Sequence, residues 1–120
     1  MSQEITMRFG QTEVGATLND SETARAFAKG LPVTIRVSGT GIDLCGRMPS
    51  ELPYEQRQVH RGWQDGDVNY NPGGGWFAVL FADEENSMRY GDQVNIGRVD
   101  GDLAVLRGLS GSYDLVIERR

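Results

Sequence analysis

The segment from Gly66 to Phe81, GDVNYNPGGGWFAVLF, constrains the fold of this 120-residue chain more than any other segment. Pro72 has no amide hydrogen, and it moves the preceding Asn71 out of the helical region of backbone conformation. The three glycines that follow Pro72 can adopt the positive φ angles that other residues avoid. The segment therefore predicts two strands joined by a sharp bend.

The second of these strands is unusually apolar. Trp76 to Phe81 is a continuous apolar run of strand length, rich in aromatic and branched side chains. Such runs are typical of a fully covered strand or of a strand in a closed barrel. The strand before the bend alternates instead, with Val68 and Tyr70 on one face. We interpret Trp76 to Phe81 as the central strand.

The rest of the chain is predicted to be mostly β, with two short helices. Alternating apolar side chains indicate a hairpin over 4–9 and 13–18. A helix is predicted over 21–29 from the N-capping residues up to Ser21, the acidic first turn and Gly30 after Lys29. Further strands are predicted over 33–37, 42–46, 94–99 and 113–117, and a second helix over 101–107. The connections 48–65 and 82–92 show no periodicity.

Composition and charge exclude several classes of protein. A net charge of -5 and a pI near 4.8 argue against a nucleic-acid partner, because phosphate binding requires clustered Lys and Arg. No apolar segment approaches the roughly 20 residues of a membrane span. One Cys and one His cannot form a zinc site. The glycine run lacks the Lys-Ser/Thr pair and the helix of a nucleotide-binding loop. We therefore expect no metal, cofactor, nucleic-acid or membrane partner.

Length and the amino end give expectations for organisation and location. A chain of 120 residues with no linker-like stretch is expected to form a single domain over 1–120. Met1 to Ile5 lacks the basic start and the apolar core of a secretory signal, so we expect a cytoplasmic location. The oligomeric state is left open.

The order of the predicted elements resembles the small bacterial and archaeal cyclophilin-like family. Its members run through a hairpin, a helix ending in leucine-proline, two strands, a proline-bearing loop, a G-D-(V/I/L)-x-Y-x-P-x-G segment and an apolar strand. The tail from 95 to 117 also looks like the closing strand, helix and strand of cyclophilins. The matching segments here are ARAF (24–27), LP (31–32), GRMP (46–49), GDVNYNPG (66–73) and IGRV (96–99).

This resemblance implies a mainly β protein, a closed eight-stranded barrel capped by two short α-helices. Closure also fits the physical interpretation, because it removes exposed strand edges. The family is largely without an assigned reaction. True cyclophilins carry F-x-R-x-x-x-x-F and Q-G-G-D strings, in which the arginine polarises a proline amide nitrogen, and neither string occurs here. Arg47-Met48 has suitable residue types, but Pro49 follows at once.

The first functional hypothesis is a binding module. Aromatic side chains offer a large contact area with a polar group for orientation, and core packing is the alternative role for each of them. Arginine would pair with a carboxylate or stack on a planar group. The cleft is predicted to hold a small molecule or an extended peptide between Arg47, Trp63, Tyr70, Asn71 and Trp76.

The second hypothesis is an isomerase or cyclase that uses the same cleft. His60 or Glu84 and Glu85 would move a proton, and Arg47 would stabilise developing negative charge. Within the acidic segment, Asp83 and Glu85 are the pair expected to converge, as paired carboxylates for acid-base work or as a divalent-cation site. The alternatives are a solvated histidine and a solvated acidic turn. Cys45 is expected to be a small buried hydrophobic residue. Binding is favoured, because no pair of residues shows a spacing that demands catalysis.

Overall fold

Eight antiparallel strands close into a barrel in the computed structural model, which describes residues 3–120. Met1 and Ser2 lie outside the described residues. They begin the segment from Met1 to Ile5, which was the basis for the expected cytoplasmic location. The order around the barrel is β1-β2-β7-β5-β6-β4-β3-β8, with β8 pairing back to β1. The strands are β1 (Gln3–Phe9), β2 (Thr12–Leu18), β3 (Val33–Gly39), β4 (Asp43–Arg47), β5 (Asp67–Asn71), β6 (Trp76–Leu80), β7 (Val94–Val99) and β8 (Ser112–Arg119).

The predicted closed eight-stranded barrel is confirmed, and so are both predicted helices. Helix α1 (Glu22–Lys29) begins where the Ser21 hydroxyl accepts the Ala24 amide at 3.1 Å. Helix α2 is a single turn over Ala104–Arg107, and the Asp102 carboxylate accepts the first amide of that turn. None of the helices over residues 3–120 is both long and apolar enough to cross a membrane.

The core fills the inside of the barrel. Alternation along each strand directs every second side chain inward, as in the β1–β2 hairpin, where Ile5 pairs with Ala16 and both are fully buried. Phe27 of α1 stacks on Phe77 of β6 with ring centroids 5.5 Å apart, which joins the helix to the barrel core. Helix α2 contributes Leu106 to the same core. The interior is therefore occupied by side chains.

Strand β6 is covered on both faces, as the sequence predicts. Phe77 and Val79 point into the barrel and are at most 1% exposed. Ala78 and Leu80 point outward and are also buried, because Trp63 packs over them. Trp76 differs from the rest of the strand, since it lies on the outer face and is 37% exposed.

The two aperiodic connections are more ordered than their sequences indicate. The first forms a 3₁₀ turn over Gln56–Gln58, and the backbone of His60 then pairs with that of Gln93 just before β7. The second forms a 3₁₀ helix over Glu84–Arg89, in which Ser87 alone is buried. One buried position leaves no apolar periodicity, so the sequence contained no helical signal here.

Candidate functional site

A groove of about 550 Å³ lies on the outer face of the barrel, over the strands β4 and β6. Its floor is apolar and comes from Cys45 of β4 with Ala78 and Leu80 of β6. The antiparallel register places Cys45 directly opposite Ala78, and Asp43 opposite Leu80. Asp43 and Cys45 are two positions apart on β4, and Ala78 and Leu80 are two positions apart on β6, so the members of each pair lie on the same face. The groove is therefore built on the rigid wall of the barrel.

One wall of the groove is an aromatic pair from the two long connections. Trp63 stacks on Tyr90 with centroids 5.1 Å apart and an interplanar angle of 27°. The Trp63 indole nitrogen donates to the Ala82 carbonyl at 3.0 Å, and the Tyr90 hydroxyl donates to Asp83 at 3.3 Å. These bonds satisfy the polar ends of both rings, so the rings stay fixed against the apolar floor.

Trp76 and Arg47 stand together at the other end. They are register partners at the ends of β6 and β4, and the guanidinium carbon of Arg47 lies 5.1 Å from the centroid of the Trp76 ring. This is cation–π geometry. Trp76 lines the groove, whereas Arg47 does not line it and contacts the Trp76 ring. Asn71, opposite Trp76 on β5, also lines the groove and accepts the Gly73 amide at 2.8 Å.

Tyr70 is not brought to the groove. It points into the barrel and is 1% exposed, and its hydroxyl accepts the Leu52 amide at 3.1 Å. Neighbouring residues of a strand face opposite sides, so Tyr70 and Asn71 cannot share one cleft wall. Of the five residues expected to bind ligand, the structure brings Trp63, Asn71 and Trp76 into the groove. Arg47 is linked to the groove only through its contact with Trp76.

The residues suggested for proton transfer lie elsewhere on the surface. His60 is exposed and does not line the groove. Glu84 accepts the Asp65 amide at 2.7 Å, and Glu85 is exposed on the same 3₁₀ helix. Asp83 precedes this helix with a φ of 66°. The segment is therefore not a strand, and the alternation from which Asp83 and Glu85 were expected to converge does not apply to it. Asp83 instead binds Tyr90 and Asn86.

Asp43 and Cys45 also line the groove, and the ligand-site prediction did not include them. Burial raises the pKa of the Asp43 carboxyl above its ordinary value, although hydrogen bonds from Thr40 and Cys45 act in the opposite direction. Burial and the neighbouring Asp43 charge raise the pKa of Cys45 to about 11. The thiol therefore stays protonated at neutral pH and is a poor nucleophile.

Cys45 is also placed differently from the prediction. It is half-buried on the outer face of β4, where it lines the groove, and it does not enter the barrel core. The inward positions of β4 are Leu44 and Gly46. Within the described part of the chain, no group of three or more His, Cys, Asp or Glu residues could hold a metal ion.

Comparison with known proteins agrees with this architecture. The cyclophilin-like family matches residues 7–118. The solution structure of a hypothetical protein from Archaeoglobus fulgidus aligns with a TM-score of 0.74 at 22% identity, covering 99% of this chain and 95% of that one. At that identity the likeness concerns the fold alone. No curated protein matches the chain. Since the family match covers most of the chain and includes part or all of every strand, the chain belongs to the cyclophilin-like family.

Proposed function

We propose that this protein is a binding module that holds a small molecule, or side chains of an extended peptide, in the groove on the outer face of β4 and β6. The observation that carries the proposal is the exposed indole of Trp76, 37% accessible at one end of a groove whose other wall is the Trp63–Tyr90 stack. Exposed aromatic surface around an apolar floor is the usual composition of a ligand site.

The size of the groove supports a compact guest. Its volume of about 550 Å³ lies inside the range of roughly 300–1,000 Å³ for small-molecule sites. The few polar groups along it, among them the side chains of Asn71 and Gln93, can orient a ligand by hydrogen bonds. Arg47 could pair with a planar or anionic group that extends past Trp76, because its guanidinium lies over the Trp76 ring.

Binding is favoured over turnover by the placement of the titratable groups. His60, Glu84 and Glu85, which the catalytic hypothesis requires, do not line the groove. The Cys45 thiol inside it is protonated at neutral pH, since its pKa is raised to about 11. An isomerase or cyclase acting in this groove would have to use Asp43 or Arg47, without His60, Glu84 or Glu85.

A ligand screen on the wild type and the Trp76→Ala variant tests the proposal. A fragment library is screened by thermal shift, where a compound at about 100 times its dissociation constant adds roughly 2.7 kcal/mol of stability. We expect compounds that stabilise the wild type to lose this effect in Trp76→Ala. Tyr54→Ala is the matched control, because Tyr54 is 43% exposed and does not line the groove.

Turnover is measured on the same compounds. Each stabilising compound is incubated with the protein and followed by NMR, and an X-Pro peptide is included for cis-trans exchange. Unchanged compounds and unchanged peptide exchange agree with a binding module. Catalysed conversion would favour the isomerase hypothesis, and stabilisation that survives in Trp76→Ala would place the binding site elsewhere.

A further inference from the structure

Asp43 is the one charged side chain that lines the groove along the described residues 3–120. The other lining groups are apolar, aromatic or neutral polar side chains and a glycine. The neighbours that contact the carboxylate are both neutral, the Thr40 hydroxyl, which donates to it, and the Cys45 thiol. A carboxylate in an otherwise uncharged, aromatic-walled groove gives that groove a negative end.

Asp43 has no cationic partner within the described part of the protein. Eight ion pairs join acidic and basic groups in residues 3–120, and none of them includes Asp43. The nearest cation on the same face of β4 is Arg47, four residues along the strand, which is about 13 Å at the usual rise per residue. That separation is too long for an ion pair, and Arg47 is already stacked on Trp76.

An unpaired carboxylate in a partly dehydrated position is unfavourable in the free protein. Charged groups that lose water are normally paired or ligated. Dehydration of Asp43 is also what raises its pKa. A cation supplied by a ligand would remove this penalty, and the aromatic faces of Trp63 and Tyr90 in the same groove favour a cation as well.

We propose that the ligand of this groove is a cationic amphiphile, with an ammonium or guanidinium group against Asp43 and an apolar or aromatic part along the floor toward Trp76. The inference deepens the proposed binding function and depends on it. The register sets the orientation, since Asp43 lies opposite Leu80 at one end and Arg47 lies opposite Trp76 at the other. The cation belongs at the Asp43 end, because Arg47 would repel it at the other end.

The test uses two probes of equal shape, 4-phenylbutylamine and 4-phenylbutan-1-ol, which differ in charge. Binding is measured by NMR titration, following the indole signals of Trp63 and Trp76. A hydrogen bond to a charged group is worth about 1.5–3 kcal/mol, so we expect the amine to bind the wild type at least about tenfold more tightly than the alcohol. In Asp43→Asn the two probes are expected to bind alike.

Asp114→Asn is the matched control. It removes the same charge from an exposed position on β8 that pairs with Arg36 and does not line the groove, so the preference for the amine should remain. In Asp43→Asn the side-chain oxygen can still accept the Thr40 hydroxyl. Folding of Asp43→Asn is checked by its amide NMR spectrum.

The outcomes separate the two proposals. Equal binding of amine and alcohol to the wild type, with shifts at Trp76, overturns the cationic ligand and leaves the binding function standing. A preference for the amine that persists in Asp43→Asn also overturns it. Binding of neither probe at millimolar concentration also overturns the cationic amphiphile, and the binding function is then decided by the fragment screen with Trp76→Ala.

Discussion

Replacing Gly46 by alanine tests whether the wall beneath the groove depends on close contact between β4 and β3. Gly46 is buried and faces the backbone of Arg36, where a Cβ would lie 2.0 Å from the carbonyl oxygen and 2.9 Å from the carbonyl carbon. Real Cβ contacts stay above 3.0 Å, so the two strands must separate by about 1 Å. The obstacle is backbone, which cannot rotate away as a flexible side chain can.

The expected loss of stability follows from this overlap. Overpacking in a rigid core costs about 1–3 kcal/mol, and a clash with backbone belongs at the upper end, near 3 kcal/mol. With a urea m-value of about 2 kcal/mol/M, the unfolding midpoint should fall by roughly 1.5 M. Arg47 adjoins Gly46, so the same displacement should also shift the Trp76 indole signal.

Gly39→Ala is the control for this experiment. Gly39 lies on β3 opposite Leu44, and a Cβ there would meet its nearest neighbours at an ordinary 3.6 Å. Its unfolding midpoint should stay close to that of the wild type. The reasoning is refuted if Gly46→Ala unfolds at the wild-type urea concentration, or if Gly39→Ala loses as much stability.

Three further predictions concern single side chains. Asp43→Asn should raise Tm at pH 7. The pKa of Asp43 is higher in the folded protein than its unfolded value of 3.8, so the stability of the wild type falls as pH rises from 3.8 through the folded pKa. The gain in Tm should vanish below pH 3.8, and equal Tm values of variant and wild type at pH 7 would contradict the prediction. Tyr70→Phe should lower the free energy of unfolding by about 1 kcal/mol and speed hydrogen exchange at the Leu52 amide, without weakening ligand binding; unchanged exchange counts against it. Cys45 should react with iodoacetamide about a hundredfold more slowly at pH 7.5 than an unperturbed thiol, tested by mass spectrometry in native protein and in urea.

Periodicity carried most of the fold prediction. The alternation in β1 and β2, the capped helix after Ser21 and the apolar run of β6 are local signals, and each one predicted its element correctly. Barrel closure is a long-range property, and it was predicted through the family resemblance, because the pairing of β8 with β1 and β3 has no local signature.

Only some of the groove residues were predicted, and the physical reason differs from one residue to another. Trp63 and Trp76 stood out as large aromatic side chains near polar or glycine-rich segments. Tyr90 sits in a connection with no periodicity, and its place depends on stacking with Trp63 from another connection. Asp43 and Cys45 carried a usable signal, since inward Leu44 requires both to face outward.

The pairing of the strands beneath the groove limits how a peptide could be recognised. Strand β6 is hydrogen-bonded to β4 on one side and to β5 on the other, so an incoming chain finds no vacant edge to extend there. Its main-chain amides would gain little from docking, and selectivity would come from the side chains it projects into the groove beside the exposed ring of Trp76. Methylating the amide nitrogens of such a peptide should therefore be tolerated, which distinguishes this mode of recognition from strand addition.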